Sequence, residues 1–65
     1  LNDTQILTHA VRELNQQKSD YETSCYRGFP KDFAEYRHLC GMIQGLGFAI
    51  EFINDLVHKL EHSDD

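Results

Sequence analysis

The sequence predicts an all-α fold, an antiparallel helical hairpin that assembles into a helical bundle. Three observations predict it. Apolar residues recur at helical spacing on both sides of one Gly-Pro break, at Gly28 and Pro30. The second half repeats every seven residues, as the seams of packed helices do. The 65 residues make a single domain, and a domain this small buries only about 60% of the surface its unfolded chain exposes. Such chains usually need a disulfide, a metal or a partner subunit.

The first helix is expected over about residues 4–26. Asn2, Asp3 and Thr4 are all good cap residues, with Asp3 or Thr4 expected at the cap. Leu7, Ala10, Val11, Leu14, Tyr21 and Cys25 then fall at spacings of three, four and seven, an amphipathic stripe. Gln16, Gln17 and Lys18 interrupt it but keep good helix propensity. A turn over 27–30 follows. Gly28 suits the left-handed position after a helix end. Pro30 cannot continue a helix and suits the first position of the next one. Phe29 and Phe33 are expected to plug the closed end of the hairpin.

The second helix is expected over about residues 31–61. Asp32 and Glu35 suit the positive end of its dipole. Tyr36, Ile43, Ile50 and Val57 form one seven-residue series, and Leu39, Leu46, Ile53 and Leu60 the other. These are the two seam positions of coiled-coil-like packing. Gly41, Gly45 and Ala49 recur every four residues along another side, with Phe48 and Phe52 beside them and Met42 and Leu56 widening the arc. Glycine costs about 1 kcal/mol in a helix interior relative to alanine. Close approach of another backbone is one return for that cost. One partner helix cannot cover both surfaces, so an interface is expected at Tyr36, Gly41, Gly45, Phe48, Ala49, Phe52 and Leu56.

Charge narrows the partners. Six Lys and Arg face eleven Asp and Glu, for a formal net charge of -5. Residues 31–65 alone hold three basic and seven acidic side chains. Such a surface repels phosphate backbones, so nucleic acid is not an expected partner. No basic amphipathic face suits an anionic membrane. No uninterrupted apolar run approaches the roughly 18 residues of a spanning helix. A membrane partner is therefore not expected.

Groups that bear chemistry are sparse. Cys25 and Cys40 fall near inward helical positions and read as free thiols, although a bridge across the turn is geometrically open. They form no C-x-x-C motif, and no base is placed to activate them. Asp55, His58 and His62 share one helix side, but histidine also suits a helix C-terminus and no further ligands are evident. The spacing of Gly41, Gly45 and Gly47 fits no phosphate loop. Tyr21, Tyr26 and Tyr36 read equally as interface anchors or as core-edge residues. Catalysis, cofactors and a metal centre are not expected.

The segment from Glu35 to Leu46, continued by Phe48, Ala49 and Ile50, resembles small helical proteins of tailed bacteriophages encoded among head and other structural genes. A tyrosine-arginine pair, Tyr36 and Arg37, precedes a Leu-x-Gly-x-Ile-x-Gly-Leu stretch carried by Leu39, Gly41, Ile43, Gly45 and Leu46. The resemblance covers the second helix, and Cys40, Gly47 and Phe48 have no clear counterpart in it. It implies a virion-associated or accessory role, in the virion or the host cytoplasm. The expected function is a non-catalytic structural or adaptor protein acting through helix-mediated self-association. A dimer forming a four-helix bundle is favoured, and a phage structural protein or a host protein is a further partner class. The alternative is a small acidic protein that binds and regulates or inhibits a host protein.

Overall fold

The computed structural model describes residues 1–62. It is an all-α hairpin of two helices, α1 (Asp3–Tyr26) and α2 (Phe33–Glu61). The terminal position of Ser63, Asp64 and Asp65 also predicts fraying there, and these residues lie outside the described ones.

Each helix begins where a side chain caps it, and both starts differ from the expectation. Asn2, not Asp3 or Thr4, caps α1. Its side-chain oxygen accepts from the Gln5 backbone N–H at 2.8 Å, and Gln5 Oε1 accepts from the Asn2 N–H at 2.9 Å. This reciprocal box satisfies two otherwise orphaned donors, which a single Asp or Thr one step later would not do. Asp32 caps α2 by accepting from the Glu35 N–H at 2.8 Å. Its φ of -151° keeps it extended, so Lys31 and Asp32 stand outside the helix and Pro30 precedes the cap instead of opening the first turn.

The end of α1 follows from Gly28. Its φ is +75°, a left-handed conformation that glycine adopts without strain. The Gly28 N–H then donates to the Cys25 carbonyl at 3.1 Å and the Phe29 N–H to the Ser24 carbonyl at 3.1 Å. That pair is the Schellman motif, and it turns the chain back.

The helices meet along the expected stripes except at the two ends of the α2 seam, where Tyr36 and Leu60 are 45% and 43% exposed. Leu7, Ala10, Val11, Leu14, Tyr21 and Cys25 of α1 are half-buried, as are Leu39, Ile43, Leu46, Ile50, Ile53 and Val57 of α2. The polar gap in the α1 stripe is filled by Lys18. Its Cε lies 3.8 Å from where a Cβ on Gly47 would stand, and its Nζ pairs with Glu22 Oε2 at 3.4 Å. A lysine stem can cover apolar surface while its ammonium reaches water. The closed end departs from expectation. Phe29 and Phe33 are 63% and 70% exposed and plug nothing. Phe33 opens α2 on the side that also carries Arg37, away from the seam. Phe33 instead stacks near Tyr36, ring centroids 6.3 Å apart, with the Arg37 guanidinium 5.9 Å from its centroid. Among the described residues none is fully buried. Two helices alone leave every seam residue with one side in solvent.

Candidate functional site

The candidate site is the side of α2 turned away from α1. At about 100° per residue, Gly41, Gly45, Phe48 and Phe52 fall within about 60° of one another on the helix circumference. Phe48 and Phe52 are 64% and 63% exposed. Leu56 continues the row and is also exposed, while Ala49 is half-buried at its edge. No atom lies within 4 Å of where a Cβ on Gly41 or Gly45 would stand. The hairpin therefore supplies no steric reason for these glycines. Gly47 differs, because it faces Lys18. A shallow groove of about 450 Å³ opens beside Gly41, between Arg37, Cys40, Ile43 and Gln44.

Tyr36 does not join this face. It belongs to the seam side, near Cys40. Its phenol is raised above the ordinary value of 10.0, first by a side-chain hydrogen bond with Cys40 and then by the negative charge Cys40 acquires on ionising. Cys25 and Cys40 are both free thiols and half-buried. The His58 and His62 rings lie 4.4 Å apart. No group of three or more His, Cys, Asp or Glu able to hold a metal ion occurs among the described residues.

Sequence reasoning passes over the strip that Arg37, Gln44, Glu51 and Asp55 form together. Arg37, Gln44 and Glu51 are seven apart and, with Asp55, make a polar strip dividing the glycine face from the seam on one side. On the other side the two apolar surfaces merge through Met42 and Ala49. The strip is legible as a seven-residue repeat of its own. Among the described residues, no intrachain ion pair engages Arg37 or Asp55. Hydropathy adds a second point. Averaged over an 18-residue window, α2 reaches a mean hydropathy of 1.2, long and apolar enough by length and composition to cross a membrane. Uninterrupted runs do not reveal this, because isolated polar residues break each run while the apolar residues around them keep the mean at 1.2.

No protein-family model matches the chain, and no solved structure does. A stretch of 39 residues is 41% identical to an N-acetylglucosaminyltransferase of Neorhizobium galegae. The match covers 60% of this chain and 9% of that protein, so the chain spans under a tenth of the relative's length.

Proposed function

We propose that this chain is a non-catalytic structural or adaptor protein that works by helix-mediated self-association through the uncovered face of α2. One observation carries the reading. The hairpin has no fully buried side chain among its described residues, yet it leaves Phe48 and Phe52 in solvent beside two glycines with open space around them. A second copy docked on this face would cover both rings, and twofold pairing of identical chains is a common solution. Sedimentation over a concentration series, with helicity followed in parallel, tests it. The expected result is a dimer whose formation raises helicity. A chain that stays monomeric and fully helical at high micromolar concentration would overturn the proposal.

The setting proposed is a phage virion, on the resemblance carried by α2. Stoichiometric presence in purified particles supports it. Absence from particles, together with specific binding to one host protein, would favour the acidic regulator instead.

The N-acetylglucosaminyltransferase match favours a second reading, in which the hairpin is a helical docking segment of a longer sugar-transferring enzyme. The matched stretch of 39 residues belongs to a two-helix chain with no fully buried residue among those described, so in this reading the hairpin would again act by packing. N-acetylglucosamine transfer by the purified chain would overturn the non-catalytic assignment.

A further inference from the structure

We infer that two copies pair antiparallel along α2, with Phe48 and Phe52 of each copy seated over Gly45 and Gly41 of the other. The inference rests on the self-association proposed above and specifies its partner surface. The glycines are four apart, the phenylalanines are four apart, and Gly45 and Phe48 are separated by three. Hole, hole, knob, knob at these spacings is self-complementary under a twofold axis that passes between the helices, level with the midpoint of Leu46 and Gly47. That operation sets Phe48 opposite Gly45 and Phe52 opposite Gly41, each twice. Both rings are exposed, and both glycines have the open space the rings require.

Charge selects the same arrangement. Arg37 and Asp55 lie on the same edge of this face, one near each end, and neither has an ion-pair partner within the described hairpin. An axis perpendicular to antiparallel helices brings like edges together, and the register that seats the rings sets Arg37 of one copy beside Asp55 of the other. A parallel pair would turn these edges to opposite sides and leave both charges unmatched. In the antiparallel pair the polar strips meet at one watery border, and the apolar Met42 and Ala49 edges meet at the other.

The test uses Arg37→Glu and Asp55→Arg, both on exposed side chains, with helicity measured on each. Either variant alone should dimerise on the order of tenfold more weakly than wild type, since two symmetry-related contacts change from attraction to repulsion. Mixing the two variants should restore affinity, because both contacts of the heterodimer again join opposite charges. In one contact the introduced glutamate meets the introduced arginine, and in the other the native Asp55 meets the native Arg37. The doubly exchanged chain should recover as a homodimer. Sedimentation equilibrium reads all four cases, and the mixture controls for any effect of losing the Arg37–Phe33 contact. A wild type that dimerises while neither the mixture nor the double exchange recovers would refute the antiparallel register and leave self-association standing. A wild type that never dimerises would remove both.

Discussion

Gly45→Leu separates what the hairpin needs from what its assembly needs. Within one chain the substitution is favourable. Leucine is a better helix former than glycine by roughly 0.7 kcal/mol, and a Cβ at this position meets no atom within 4 Å. Between chains it is unfavourable. Phe48 is 64% exposed, which for an aromatic side chain of about 200 Å² leaves about 130 Å² to be covered. At about 25 cal/mol per Å², that burial is worth about 3 kcal/mol for each ring, and the twofold axis doubles it. A leucine in the seat prevents the ring from closing on the helix. Losing even half of this total weakens dimerisation by about two factors of ten, at about 1.4 kcal/mol for each. The assay is sedimentation equilibrium of both proteins, with far-ultraviolet circular dichroism at concentrations below assembly. The expected variant is at least as helical as wild type when dilute and fails to dimerise where wild type does. A more helical variant with an unchanged dissociation constant would refute the reasoning, because the glycine would then have no part in any contact.

Phe52→Ala should weaken the dimer by a similar amount and leave the dilute chain nearly unchanged, checked by the same sedimentation series. Asp32→Ala removes the acceptor for the Glu35 N–H and should lower stability by about 1 kcal/mol, read by urea unfolding. Gly28→Ala forces a side chain into the φ of +75° and should cost about 1 kcal/mol by the same measurement. Tyr36 holds its proton above the ordinary 10.0 of a phenol, so the folded state binds that proton more tightly than the unfolded chain does. Its contribution to stability is fully present below pH 10.0 and is lost as pH rises through the raised value. Tyrosinate absorbance should show a late-titrating phenol that disappears in Tyr36→Phe.

The fold was legible because both helices declare themselves at two levels. The stripes on α1 and α2 have helical period, and Gly28 marks the reversal by its backbone chemistry alone. The helix starts were less legible, since capping depends on which of several adjacent acceptors closes a reciprocal box. Asn2 prevails because Gln5 lies three residues on. Phe29 and Phe33 depart from their pattern for a different reason. Apolarity says a ring gains by burial, but the side of the helix on which Phe33 falls decides whether a surface exists for it to bury against. Lys18 shows the converse, a charged residue holding a core position through its methylenes. Most of the candidate face was legible in the spacing of Gly41, Gly45, Phe48 and Phe52. Tyr36 stands apart from it, because its seven-residue series belongs to the seam. The place of Arg37 and Asp55 at the border of this face carries no signal until the face itself is defined.

The apolar character of α2 is compatible with lipid or with protein, and the polar strip discriminates between them. Arg37, Gln44, Glu51 and Asp55 run along the helix beside both apolar faces. A spanning helix in lipid would carry Glu51 and Gln44 near its middle, and an ionised side chain at that depth costs about 3 kcal/mol on insertion scales, before any partner is found. Against a second hairpin the same strip stays at the border of the contact, in water, where it opposes nothing. The two apolar faces also differ in texture. The seam toward α1 carries Ile, Leu and Val at regular intervals, which suits continuous packing of parallel ridges. The outer face sets two open glycines ahead of two large rings, which lipid chains do not require and a complementary protein surface does. This difference in texture favours a protein partner over a lipid surface. Self-complementary spacing of the glycines and rings makes a second copy the partner that needs no further surface to explain it.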